Sequence, residues 1–300
     1  MNNATFSSSR RASLGLLAGF AAAAAARSPA AAAVLPSPAA PAAGIDLANP
    51  QARVRAYLRI RCRLDGKPTY MPYRGTIFGK PEGKAAVALF DVAGFSWSTV
   101  TQIGESRYRV DGVEAGYFLD RNTGEPLDHW TNPLNNLETT VRHYRSWSHI
   151  VVSPEGLEPV LDKPRPAGFS FSATSGDPMI MNGNIWIHED LIGQFPSAPK
   201  STFADPLQYF GPVLTATSLA TWSAAVAELA DPAAAFVPSM LSYQTLGSWR
   251  PFMRMGSAPG LISWRMFGAK QPSVDAVPTA LRERVIKDYP DFLTKVKADR

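Results

Sequence analysis

Arg53-Val54-Arg55-Ala56-Tyr57-Leu58-Arg59-Ile60-Arg61-Cys62-Arg63-Leu64, followed by Asp65-Gly66, alternates at period two. Val54, Ala56, Leu58, Ile60, Cys62 and Leu64 fall on one side, and Arg53, Arg55, Tyr57, Arg59, Arg61 and Arg63 on the other. Such alternation predicts a half-buried strand. Asp-Gly is a favoured hairpin turn, so residues 69–78 are expected to return beside it. Outward from there, turn signals recur at Pro81-Glu82-Gly83, Asp111-Gly112, Asn122-Thr123-Gly124 and Pro154-Glu155-Gly156. Between them, residues 85–95, 106–110, 113–120 and 142–152 read as strands. Short strands with turns at this spacing point to an antiparallel meander. The fold class expected is mainly β: an antiparallel barrel or strongly bent, calycin-like sheet over 53–190, with C-terminal helices packed on it.

The helices are expected chiefly after Leu214. Residues 219–229 place Leu219, Trp222, Val226 and Leu229 on one side, with Ser218 as N-cap and Asp231-Pro232 as the stop. Residues 236–260 read as a loop rich in aromatics and Met. Residues 278–287 read as a charged helix, and 291–297 as a last short one.

The N-terminus carries a different signal. Arg10-Arg11 precedes an apolar, alanine-rich run from Leu14 to Ala26, with Ala24-Ala25-Ala26 and Ala31-Ala32-Ala33 as small-residue cleavage points. That order defines an export signal, and paired arginines point to the twin-arginine machinery. Residues 1–26 are therefore expected to be a cleaved signal, 27–44 an Ala/Pro-rich linker, and 45–300 one domain working in the periplasm or outside the cell. Arg27 stops the apolar run short of the roughly 20 residues needed to span a bilayer, which argues against a permanent membrane anchor.

The chain holds 30 Lys+Arg and 25 Asp+Glu, and Arg10 and Arg11 lie in the expected signal and Arg27 in the linker, so the remainder is nearly neutral. A nucleic-acid binder needs a larger basic excess. The five arginines of 53–63 read as a solvated face in preference to an anion site. Cys62 is the sole cysteine, so no internal disulfide forms.

Standard catalytic signatures are missing: G-x-S-x-G, H-E-x-x-H, C-x-x-C and G-x-G-x-x-G do not occur. Gly79-Lys80-Pro81-Glu82-Gly83-Lys84 is too short for a phosphate loop. Of the four histidines, His143 and His149 share an expected strand face with Arg145 and Trp147. Six residues of strand span about 20 Å, too far for one metal, and no ligand set identifies a metal or cofactor. His129 sits near a strand end, and His188 adjoins Glu189. The densest aromatic cluster is Trp249-Arg250-Pro251-Phe252-Met253-Arg254-Met255-Gly256.

Two stretches carry a resemblance. Tyr117-Phe118-Leu119-Asp120-Arg121-Asn122-Thr123-Gly124-Glu125 leads into Trp130-Thr131-Asn132-Pro133, and Trp249-x-Pro251-x-Met253-x-Met255-Gly256-x-x-Pro259-Gly260 follows later. Together they resemble the bacterial family called domain of unknown function 1838, across residues 57–292. The chain departs from the pattern where Asn135-Asn136-Leu137 replaces a Gly before Glu138. The resemblance implies a single domain and no activity.

Three functional readings follow. The first is an aromatic-lined pocket for a small apolar or aromatic molecule, with Trp130, Trp249, Phe252, Met253 and Met255 as contact surface and His143, His129 and Arg145 as polar groups. The second is a cofactor-independent lyase, isomerase or hydrolase, with His143 or His188 as general base and Glu138 and Glu189 as partner acids. The third is a structural envelope protein whose barrel is filled.

Overall fold

In the computed structural model, residues 45–160 and 167–294 are described. The expected export signal and linker lie outside them. All described residues fall in one compact unit.

Helix α1 (Pro50–Arg61) comes first, and it corrects the strand expected at 53–64. The Asn49 side chain accepts from the Gln51 and Ala52 N–H groups, and Pro50 occupies the first turn, a strong start signal. Reading Tyr57 with the arginines produced the alternation. Tyr57 is in fact buried beside Val54, Leu58 and Ile60, at helical spacing. The Asp65-Gly66 turn therefore joins a helix to a strand and makes no hairpin.

Thirteen strands follow among the described residues: β1 (Thr69–Pro81), β2 (Val87–Gly104), β3 (Arg107–Leu119), β4 (His129–Asn132), β5 (Leu137–Thr140), β6 (Tyr144–Ser153), β7 (Gly156–Pro159), β8 (Ser170–Ser175), β9 (Met179–Met181), β10 (Asn184–Pro196), β11 (Val213–Ala225), β12 (Met240–Gly247) and β13 (Gly260–Ala269). Ten form one antiparallel path, β7-β6-β3-β2-β1-β13-β12-β11-β10-β8, with β9 added on β10. The end strands β7 and β8 lie against each other, so the sheet curls into a nearly closed barrel. It reaches to Ala269, beyond the expected limit of 190. Strands β4 and β5 form a separate hairpin. No helix among the described residues is long and apolar enough to cross a membrane.

Three local expectations are corrected. Asp111-Gly112 lies inside β3, because Asp111 points outward to Arg109 and His149, each at 2.7 Å. Residues 219–225 belong to β11, and only Val226–Ala230 is helical (α2). The small residues Ala216, Ser218 and Ala220 alternate inward with Trp222, a period that the spacing of Leu219 and Trp222 masked. The loop expected at 236–260 contains β12. Helix α3 (Thr279–Asp288) matches the charged helix expected there; of the short helix expected at 291–297, residues 291–294 form a turn and the rest lies outside the described residues.

Alternation divides each barrel strand into two faces. Outward residues of β2 and β3 (Phe95, Trp97, Val113, Ala115, Tyr117) are covered by α3 and Phe292. Helix α1 touches both β6 and β11, and its apolar side joins inward residues from strands all around the barrel, including Met71, Val110, Val152, Ile187 and Trp222. It therefore plugs one end of the lumen. A second cluster (Phe90, Phe118, Trp249, Phe252, Met253, Trp264) packs elsewhere in the barrel against the β4–β5 hairpin.

Candidate functional site

The lumen holds a cavity of about 770 Å³, within the range of roughly 300–1,000 Å³ typical of ligand pockets. Inward residues of β1, β2, β3, β6, β10, β11, β12 and β13 line it, with Arg61 of α1 and Arg250, Pro251 and Phe252. Most of the exposed wall is apolar; besides small hydroxyls such as Ser96, Ser98, Ser146 and Ser148 and the exposed Arg142, three polar clusters interrupt it.

The first adjoins the plug. Arg61 Nη1 lies 2.8 Å from Glu189 Oε1. Glu189 also accepts from Tyr57 Oη at 2.9 Å and Trp222 Nε1 at 3.1 Å. Burial opposes the charge on Arg61, but the Glu189 carboxylate together with Tyr57 and Cys62 outweighs it and holds the guanidinium pKa above its ordinary value. Burial likewise pushes the Tyr57 phenol well up. Every group here has a partner, as a buried charge requires.

The second is a tyrosine pair. Tyr73, Gly94, Gly116 and Tyr144 form one row across β1, β2, β3 and β6. A Cβ on Gly94 would stand 2.3 Å from Tyr73 Oη, and one on Gly116 2.3 Å from Tyr144 Oη. The two glycines thus make room for the phenols to lean over the strands, where their hydroxyls meet at 2.6 Å. Glu114 lies two residues before Gly116, on the same inward face. It is half-buried and faces the cavity. Burial raises its pKa, against hydrogen bonds from Tyr73 and Ser146 that favour the anion. Burial and the Glu114 carboxyl push both phenols well up.

The sign of the Glu114 effect makes a test. A raised folded pKa means that the native state keeps a proton which the unfolded chain gives up. The stabilisation is complete below the unfolded glutamate value and is lost as pH rises toward the folded one. Urea midpoints from about pH 4 to pH 8 should fall more steeply for the wild type than for Glu114→Gln. Parallel curves would show that Glu114 titrates normally.

The third is Arg250, whose guanidinium stacks 5.2 Å from the Trp264 ring centroid. Burial lowers its pKa, partly offset by Tyr144 and Tyr243. Tyr243 Oη in turn donates to Ser218 Oγ at 2.8 Å.

The residues proposed from sequence divide between this lumen and other places. Glu189 and Phe252 line the cavity. Trp249 and Met253 are buried in the apolar cluster at 3% and 0% exposure, and Met255 and Trp130 pack on its edge. His143 precedes β6 and therefore does not share a strand face with His149. Its Nδ1 accepts from the Phe118 N–H at 3.2 Å, its ring meets Tyr117, and burial and then Arg284 lower its pKa. His188 is exposed on the outer face of β10, 3.0 Å from Thr221 Oγ1. His129 and Glu138 share a small surface depression with Asp205 and Arg254. Arg145 pairs with Asp291 at 2.9 Å between Trp147 and Tyr289, outside the barrel. No histidine is among the residues lining the lumen. Among the described residues no three His, Cys, Asp or Glu side chains converge as a metal site would need.

Tyr73, Glu114, Tyr144, Tyr243 and Arg250 are the lumen groups that sequence reasoning passed over. Arg250 had a signal: it is the charge inside Trp249-x-Pro251-Phe252-Met253. The others become visible only when strand faces are assigned.

The expected arginine face also resolves into single contacts. Arg53 meets Asp177 at 3.0 Å, and Arg59 donates to the carbonyls of Leu229 and Asp231, both at 2.6 Å.

The two sequence stretches that stood out meet in space. Asn132 Nδ2 donates to the Met253 carbonyl at 2.7 Å, and Asn135 Nδ2 to the Arg254 carbonyl at 2.9 Å. Asn136, in the tripeptide that departs from the expected Gly, has φ 58°, a left-handed conformation that Asn tolerates. A model of the family described as "Protein of unknown function (DUF1838)" matches residues 66–299. The chain belongs to this family. No curated protein matches the chain. Within this DUF1838 protein, the paired motifs fasten the β4–β5 hairpin to the segment that brings Arg250 to the lumen.

Proposed function

We propose that this DUF1838 protein holds a small, largely apolar or aromatic molecule inside its barrel. The supporting observation is the cavity itself: about 770 Å³, walled by Met71, Phe118, Phe252, Trp264 and Met266, with a few convergent polar groups. Such a composition orients a ligand through few hydrogen bonds while burying most of its surface. Native mass spectrometry of the purified protein should show a co-purifying small molecule, or uptake of the neutral fluorophore N-phenyl-1-naphthylamine. Failure to retain or take up either would remove this reading.

The site of action proposed is the periplasm, supported by Arg10-Arg11 and the apolar run behind them. Replacing both arginines with lysine should leave precursor in the cytoplasm. Unchanged periplasmic yield would overturn the twin-arginine route.

A second reading, a cofactor-independent enzyme, is favoured by Glu114 beside the Tyr73–Tyr144 hydroxyls. Enclosed hydroxyl and carboxyl donors can polarise a carbonyl, and a carboxylate of raised pKa can move a proton. Glu114 takes the place there that the sequence reading gave to histidine. Its test is exchange of α-protons of a bound ketone such as β-tetralone in D2O, followed by NMR. Exchange no faster than buffer, or equally fast with Glu114→Gln, would dismiss it.

A further inference from the structure

We infer that the molecule bound in the lumen is an organic acid: a small apolar or aromatic monocarboxylate whose anionic group sits against Arg250. The inference rests on the reading of the lumen as a ligand pocket and narrows it to one chemical class.

The charges of the cavity lead there. Arg61 is already neutralised by Glu189, and that carboxylate is fully occupied by Arg61, Tyr57 and Trp222. Glu114 lies with the Tyr73–Tyr144 pair, and burial favours its neutral form. Arg142 is exposed where it lines the cavity. Arg250 is left. Its half-buried guanidinium borders the lumen and makes no ion pair among the described residues. Its one described side-chain partner is the face of Trp264.

A cation removed from water is costly unless an anion meets it. A stacked guanidinium keeps a planar fork of N–H donors free, and that fork fits a carboxylate with two parallel bonds. The flanking phenols, Tyr144 and Tyr243, lie close enough to act on Arg250 electrostatically, with the Tyr243 proton already given to Ser218. The rest of the wall sets the remaining chemistry. Leu214, Leu241, Phe118, Phe252 and Met266 match an apolar body, and the lining's other cation, Arg142, stands exposed. One anionic group against Arg250 with an apolar body behind it therefore suits this part of the lumen.

The sequence carries the same logic. The tight turn Pro251–Met253 follows Arg250 directly, and Trp249 anchors the other side through Nε1 to the Ala258 carbonyl at 2.9 Å. Arg250 is thus held between two fixed neighbours, a preorganised position that spares a ligand the cost of ordering it.

The test uses the purified full chain and a competition assay. N-phenyl-1-naphthylamine reports occupancy of the cavity, and 2-naphthylacetate, its methyl ester and its primary amide compete for it. The acid should displace the probe at a concentration at least about tenfold below the ester and amide, roughly the 1.4 kcal/mol of one charge-assisted contact. With Arg250→Met, and independently with Arg250→Gln, the ratio of acid to ester, each read against that variant's own probe curve, should fall to near one. Equal competition by acid and ester in the wild type would overturn the inference while leaving the pocket. So would an acid preference that survives both substitutions. Binding of neither the probe nor any competitor would instead remove the pocket, and the inference with it.

Discussion

Glu189→Ala is expected to lower folding stability by about 3 kcal/mol, the lower end of the range for breaking a buried ion pair from one side. The substitution strands Arg61 opposite Trp222, with no carboxylate beside it, and takes the acceptor from Tyr57 Oη and Trp222 Nε1. The lower end applies because the Arg61 side chain keeps 19% exposure, against 3% for Glu189, so water from the cavity can partly solvate the stranded cation. Urea denaturation read by fluorescence gives the number. Replacing both partners, Arg61→Met with Glu189→Leu, should recover most of the loss, since the pair's attraction mainly offsets its own desolvation. A loss under about 1 kcal/mol for Glu189→Ala would mean that the pair behaves like a solvated surface bridge. A double substitution as damaging as the single one would place the cost in packing of the plug.

That ion pair also shows where sequence reading succeeds and where it stops. Glu189 stands out in the sequence as the neighbour of His188, where it reads as a partner acid. Its partner was not, because Arg61 lay in a segment whose alternation looked like a strand. Tyr57 decides that case: counted as polar it completes a period of two, counted as core it completes a helical stripe. Only the Asn49-Pro50 start signal distinguishes the two. Strand β11 fails the other way. Leu219 and Trp222 are three apart and suggest a helix, but a barrel with a cavity needs small inward residues, and Ala216, Ser218 and Ala220 supply them.

Strands β1 and β6 are readable because Pro81-Glu82-Gly83 and Pro154-Glu155-Gly156 turn the chain locally, and helix α3 because Pro278 fixes the backbone at its start. The lumen site was not, because it is assembled from non-local neighbours. Tyr73 reaches Tyr144 over Gly94 and Gly116, four strands wide. Nothing within any one strand marks that row. The two glycines are visible in the sequence, but their purpose depends on a register that only the folded sheet defines. The Trp249–Met255 stretch was visible as a cluster. What the sequence left open was which members face the lumen: Arg250, Pro251 and Phe252 do, while Trp249 and Met253 turn into the core.

Trp249→Ala is therefore expected to act on stability, by about 3–5 kcal/mol, the usual cost of truncating a buried aromatic. The indole is 3% exposed and packs with Phe252, Met253 and Ile262. Its Nε1 donates to the Ala258 carbonyl at 2.9 Å. Gly260 gives it room, since a Cβ there would stand 2.6 Å from the indole Cζ2. The cavity left by alanine cannot close easily, because the Gly260 end of β13 is fixed by its ladder to β1. Trp249→Phe, which keeps a ring but loses the N–H donor, should cost clearly less. The alternative is that Trp249 is a wall of the ligand pocket. Trp249→Ala would then cost under about 1 kcal/mol and change the affinity for N-phenyl-1-naphthylamine at unchanged stability. Denaturant midpoints and probe titrations on the same three proteins separate these outcomes. A large stability loss assigns Trp249 to the brace that holds Arg250 and Phe252 at the lumen, and a selective binding change assigns it to the lumen itself.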